Sequence, residues 1–220
     1  MLTGRKEGQW YVEPFAGGMN SLCQVDGNRL ACDTNKYLIA LWVALQNGWL
    51  PPEHVTKEQY YHVWHNMDLY PVELVGWCGF NCSYSGKFFS GYAGDTVVKN
   101  GSVRRYQVEA RANVLNQLPN MSGVELFNCS YEQLSTPANS IIYCDPPYAG
   151  TYNYRNPFDS SAFFDWCRTK NAEGHLVFVS EYEAPSDFSC IWQADVKSSL
   201  SANGVYGASK TTTEKLFVLL

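Results

Sequence analysis

The chain has 220 residues, 45% of them hydrophobic and 17% charged, with a formal net charge of −5. That balance predicts a globular protein with a sizeable core and room for an inserted subdomain, and it excludes a disordered chain. The acidic balance argues against a general nucleic-acid coat. No apolar stretch is long enough to cross a bilayer and the start, Met1-Leu2-Thr3-Gly4-Arg5-Lys6, lacks an apolar signal core, so a cytoplasmic protein without membrane contact is expected.

In chain order, Trp10-Tyr11-Val12-Glu13-Pro14-Phe15-Ala16-Gly17-Gly18-Met19-Asn20 reads as a short strand, Tyr11–Glu13, running into a glycine turn. Glycines after a first strand let backbone approach a ligand closely, although a plain turn explains the pair about as often. Leu30–Cys32 reads as a second strand with Asp33 at its tip. An acid there holds ribose hydroxyls in Rossmann-like folds; capping the next helix is the other reading. Lys36–Gln46 is amphipathic, with Leu38, Leu41, Trp42 and Leu45 on one face and Asn47-Gly48 as its stop. Thr56 is expected to cap a helix reaching about Met67, with Gln59 as a partial capping box.

The rhythm breaks at Tyr70–Gly101, which is rich in Gly, Ser, Asn and aromatic residues. With Pro51–Met67 it makes a long insertion, and irregular insertions of that length are usually functional or disordered. Ser102 is then expected to cap a helix over Val103–Leu118, ended by Pro119. Further strands are predicted at Val124–Phe127, Ile141–Cys144, Leu176–Val179, Asp195–Ser198 and Leu216–Leu219, with a helix from about Ser160 to Lys170. Strands separated by helices imply an α/β fold with a mostly parallel sheet, its final two strands antiparallel to each other. The expected division is a core of residues 1–50 and 119–220 around an inserted region, 51–118.

The tetrapeptide Asp145-Pro146-Pro147-Tyr148, after the apolar run Ile141-Ile142-Tyr143-Cys144, carries the most chemistry. An exocyclic amine on a flat base is a poor nucleophile because its lone pair is delocalised into the ring. A carboxylate and a proline-fixed carbonyl can accept its two hydrogens, and an aromatic face can stack on the base. An ordinary Asp-Pro turn is the bland reading of the tetrapeptide alone.

Lys87, Lys99, Arg104, Arg105 and Arg111 concentrate in the middle of the chain among Phe80, Tyr84, Phe88, Phe89 and Tyr92. This is either a local nucleic-acid surface or a solvated basic helix face. Arg104 and Arg105 are candidates for phosphate contacts, Lys87 and Tyr92 for base edges. The eight cysteines are scattered without a C-x-x-C pair, which suits buried free thiols. His62 with His65 and Cys78 with Cys82 are the close pairs, but no four-ligand set appears and no metal is expected.

The ordered set of glycine turn, acid-tipped strand and Asp145–Tyr148 resembles the Dam-type, S-adenosylmethionine-dependent DNA adenine-N6 methyltransferases, especially short phage-type members. Glu13-Pro14-Phe15-Ala16-Gly17-Gly18 matches the family's cofactor loop, Asp33 with Asn35 its second motif, and Asp145 to Tyr148 its catalytic motif. Phe178-Val179-Ser180-Glu181-Tyr182 sits where the family has a strand ending in Ser-Asn or Ser-Glu. Ser198-Ser199-Leu200-Ser201 through Lys210 to Glu214-Lys215-Leu216-Phe217 resembles its closing loop and hairpin.

The resemblance implies a Rossmann-like class I methyltransferase sheet, S-adenosyl-L-methionine as cofactor and double-stranded DNA as partner. It places Glu13, Pro14, Phe15, Ala16, Gly17, Gly18, Asn20, Asp33, Asn35 and Asp145 at the cofactor, with Ser130 either there or capping a helix. It puts target recognition in the insertion and makes Asn203 and Lys210 DNA contacts. Tyr152 and Tyr154 would close over a flipped base, or be surface tyrosines. Only nine residues precede Trp10, fewer than the family's lysine-bearing segment needs, so an upstream segment or a partner chain is expected to complete the cofactor pocket. An N4-cytosine enzyme would carry Ser at position 145 and an RNA or glutamine enzyme Asn. A catalytically impaired DNA-binding relative is the reading from another class.

Overall fold

Among the described residues the strands are β1 (Tyr11–Glu13), β2 (Arg29–Asp33), β3 (Thr96–Val97), β4 (Val103–Arg104), β5 (Val124–Asn128), β6 (Ile141–Cys144), β7 (Leu176–Glu181), β8 (Phe188–Lys197) and β9 (Thr211–Leu219). They belong to a computed structural model that describes residues 5–98, 100–147, 158–197 and 211–219. Seven form one sheet in the order β5-β2-β1-β6-β7-β9-β8, and β3 and β4 pair separately. β6 lies parallel to β1 and to β7, with Tyr11 opposite Ile141 and Ile142 opposite Val177. β9 runs antiparallel to both β7 and β8. A mostly parallel sheet with a reversed edge is the Rossmann-like α/β architecture that the sequence predicts.

The chain divides into two compact units, Met1–Ala16 with Gly27–Leu30 and Tyr131–Leu220, and Gly17–Asp26 with Ala31–Ser130. In the first unit, Tyr11, Val12, Ile142 and Val177 are fully buried and Ile141 nearly so. Parallel strands covered by helices read as such continuous apolar runs. Helix α5 (Ser160–Ala172) packs on β7 and β9 with Phe163, Phe164 and Cys167 inward. Asp159 caps it by accepting the Ala162 N–H at 3.0 Å. Buried His175 accepts the Ser140 N–H on Nδ1 at 3.1 Å, and burial lowers its pKa.

In the second unit, helix α1 (Lys36–Gln46) buries Leu38, Leu41, Trp42 and Leu45, the face that the spacing predicts. Helix α2 (Lys57–His65) has the Thr56–Gln59 box in full and ends two residues earlier than predicted, before a short 3₁₀ turn at Met67–Leu69. The segment read as irregular contains helix α3 (Val72–Gly76) and a π turn at Trp77–Asn81. Gly76 permits this: a Cβ there would lie 2.2 Å from the Tyr37 carbonyl oxygen, so α3 rests directly on α1. The carboxamide of buried Gln107 accepts the Val55 N–H at 2.8 Å and donates to the Val55 and Ala93 carbonyls.

Three expected elements differ. The helix predicted from Val103 begins at Tyr106 (α4, Tyr106–Gln117), because Val103 and Arg104 pair with β3. Ser102 does not cap it; its hydroxyl and N–H both bond to Asn100 Oδ1 in the turn before β4. Strands β8 and β9 are far longer than the expected Asp195–Ser198 and Leu216–Leu219. β8 is exposed along most of its length, Ile191, Trp192 and Val196 included, and β9 buries only Phe217 and Val218, so a search for apolar runs finds only part of each.

Candidate active-site residues at the strand tips

In the first unit, the parallel register sets the end of β1 beside the end of β6. Glu13 closes β1 and is 3% exposed. The hydroxyl of Tyr11, itself completely buried, bonds its Oε1 at 2.9 Å. Burial pushes the Glu13 carboxyl up to about 8; the Tyr11 bond opposes that shift and the charge of Asp145 adds to it. Asp145 follows the last residue of β6 and is exposed, whereas Pro146 behind it is buried and Pro147 half-buried. The chain thus offers an acid to solvent on a lip anchored by proline. Tyr148, Tyr152 and Tyr154 lie outside the described residues.

Pro14 and Ala16 are buried, and Phe15 between them joins a cluster of rings. Its neighbours are Tyr131 at 5.3 Å, Phe163 at 5.6 Å and Phe158 at 5.8 Å, and Tyr131 also meets Trp166 at 5.2 Å. The sequence reading singled out Phe15 and missed Tyr131 and Phe158. Neither sits in a periodic element, so only the position of Tyr131 just after Ser130 could have drawn notice. Tyr11 was missed too; alternation along β1, which puts it on the same side as Glu13, is the signal for it.

In the second unit, Asp33 ends β2. Its Oδ2 accepts the Gly17 N–H at 3.2 Å and its Oδ1 the Asn35 N–H at 2.8 Å. Burial raises the pKa of Asp33 while these two N–H bonds pull it back. Gly17 has φ +45, the left-handed region where glycine is at ease, and it brings its amide to that carboxylate. Gly18 and Asn20 are exposed beyond it. The cap of α1 is Asn35, whose Oδ1 accepts the N–H groups of Tyr37 and Leu38. Asp33 is therefore not the cap, and the Asn35 carbonyl is already engaged by the helix. Ser130, half-buried, follows β5.

A cleft of about 490 Å³ in the same unit is bounded by Gly17, Asn20, Tyr84, Arg104, Tyr106 and Gln117, among others. Arg104 holds Glu109 through Nε and Nη2 at 2.9 and 2.8 Å and lies over the Tyr106 ring. Arg105 is 4.0 Å from Asp95. Arg111 donates to the Pro51 carbonyl at 3.0 Å, and the Tyr92 hydroxyl to the Val55 carbonyl at 2.8 Å. Lys87 is exposed. Of the predicted basic cluster, Arg104 and Arg111 thus brace the unit as well as charging it; Lys99, Asn203 and Lys210 lie outside the described residues.

The two close histidines each have a partner of their own. His62 meets Tyr70 and His65 bonds the Tyr61 carbonyl. All eight cysteines are free, six of them buried. Among the described residues no three His, Cys, Asp or Glu side chains gather as a metal site.

No family model matches the chain, and no curated protein matches it. Among solved structures it is similar to SMU.472, a protein crystallised in complex with SAH, at 11% identity and a TM-score of 0.35. The alignment takes in 99% of this chain and 50% of that one, so the chain spans half of that protein's length. At this distance that protein's ligand cannot be carried over.

Proposed function

We propose that the chain transfers a methyl group from S-adenosylmethionine to N6 of a flipped adenine in double-stranded DNA. The observation that supports this most is the pairing, at adjacent parallel strand ends, of an exposed Asp145 on a proline lip with a buried Glu13 on β1. When bound, the cofactor supplies an electrophilic methyl group.

Asp145 is positioned to accept a hydrogen bond from the exocyclic amine as positive charge builds on nitrogen. It need not be a strong base, since the proton can leave after transfer. The Pro146 carbonyl is assigned the second amine hydrogen and Tyr148 the stacking face. Adenine must leave the duplex, because its amine is engaged in pairing and unreachable in the stack. In the second unit, the Asp33 carboxylate fits a ribose diol. It accepts two backbone N–H bonds, and an ionised carboxylate has roughly four acceptor positions, so lone pairs remain for hydroxyl donors. Arg105 and Lys87, both exposed, are the cations best placed in the insertion to meet phosphate.

Expression in a host free of DNA methylation, followed by mapping of modified bases, checks this reading. N6-methyladenine within a defined sequence is the expected product. N4-methylcytosine or methylated RNA would keep the amine chemistry and overturn the substrate, while the absence of any modified base would overturn the activity.

A further inference from the structure

Two carboxyl groups at one strand-end pair, in unlike surroundings, invite a division of labour. Glu13 is 3% exposed and its hydrogen bond comes from a neutral hydroxyl; Asp145 is exposed. We propose that Glu13 carries a proton in the working protein, so that Asp145 alone is charged at this tip.

A carboxylate removed from water is costly unless a cation or several N–H donors replace the water. The Tyr11 hydroxyl is one neutral partner, and it can accept from a protonated Glu13 as readily as donate to an ionised one. The titratable groups acting on Glu13 are Tyr11 on its own strand and Asp145 beyond β6, while Tyr143 and Cys144 on β6 act on Tyr11 in turn. Among the described residues none of the groups acting on Glu13 is a cation. Burial accordingly holds the Glu13 carboxyl up to about 8. Were Glu13 ionised as well, the two like charges would repel at this tip and turn the Asp145 carboxylate away from the amine it is to meet. Glu13 is then a positioning residue, acting on the amine through the state of Asp145.

The functional part of this inference rests on the proposed methyl transfer; the protonation itself does not. Thermal and denaturant unfolding of the full chain from pH 5 to 9 is compared for the parent, Glu13→Gln and Glu13→Ala. A proton held in the folded state and lost in the unfolded one lowers the folded-to-unfolded ratio tenfold per pH unit, over the window between the unfolded value and about 8. The parent is therefore expected to lose stability relative to Glu13→Gln as pH rises toward 8 and to keep that full, now constant, deficit above it. A difference that stays constant across the range would overturn the proposal, and this comparison survives even if Glu13→Ala fails to fold. In methyl-transfer assays the parent should show an alkaline limb near pH 8 that Glu13→Gln lacks, with Glu13→Ala impaired and the Gln variant rescuing it; an identical limb in the Gln variant would also overturn it. A stability step without methyl transfer at any pH would sink the proposed function and leave Glu13 protonated.

Discussion

Glu13 in the first unit and Asp33 in the second are both acids at the end of a short buried strand, and both are pushed toward the protonated form by burial. Their partners separate them. Asp33 receives two backbone N–H groups, from Gly17 and Asn35, which favour its charge. Glu13 receives one tyrosine hydroxyl and feels a second carboxyl, so its charge goes uncompensated. The difference teaches that the position of an acid at a strand tip does not set its chemistry. The amides brought onto it do: Asp33 takes the Asn35 N–H from its own turn and the Gly17 N–H from the turn after β1, and that same turn bonds no described amide to Glu13.

The largest expected effect comes from removing the exposed member of the first-unit pair. Asp145→Ala should lower methyl transfer by a factor on the order of a thousand or more, the scale of losing a group that acts only in the transition state. Because Asp145 is solvent-exposed, the thermal unfolding midpoint should stay close to the parent's. Turnover near the parent's would remove Asp145 from the chemistry and leave its loop as a plain turn.

Next in size is the acid of the second unit. Asp33→Ala removes the acceptor for the Gly17 and Asn35 amides together with the proposed ribose contact. Loss of hydrogen bonds to a charged acceptor costs about 1.5–3 kcal/mol, a roughly ten- to hundredfold weakening of cofactor binding. Calorimetric titration with S-adenosylmethionine measures it. Unchanged affinity would mean that Asp33 serves only to fold the Gly17 turn, and the contrast with Glu13 would then be one of structure alone.

Much of the fold was legible because it follows periodicity. The apolar runs at Ile141–Cys144 and the one-sided spacing in Lys36–Gln46 become β6 and α1 at the expected residues. What escaped depends on contacts distant in sequence. Val103 and Arg104 are strand because Val97 and Thr96 are there to pair, and α3 forms where Gly76 lets it lie on Tyr37. At the tips, motif spacing pointed to Glu13, Asp33 and Asp145 as acids. It could not say that Asn35 rather than Asp33 caps α1, nor that Tyr11 alone hydrogen-bonds Glu13 among the described residues, because donor geometry is not written in residue order. The ring cluster of Phe15, Tyr131 and Phe158 was hidden for the same reason.

The smallest effect sharpens the reading of the second tip. Asn35 does two separable things: its backbone N–H donates to Asp33, and its side-chain oxygen caps α1. Asn35→Ala keeps the first and deletes the second. Loss of an N-cap costs about 1 kcal/mol, so a modest drop in denaturant midpoint is expected, with cofactor affinity within about twofold of the parent. Asn35→Asp should recover the stability, since a carboxylate caps as well and suits the positive end of the helix. A tenfold loss of cofactor affinity in Asn35→Ala without a larger loss of stability would show the carboxamide touching the ligand directly. Asp33 would then share its role with a neighbour, and the second tip would hold its ligand through the helix cap as well as the strand acid.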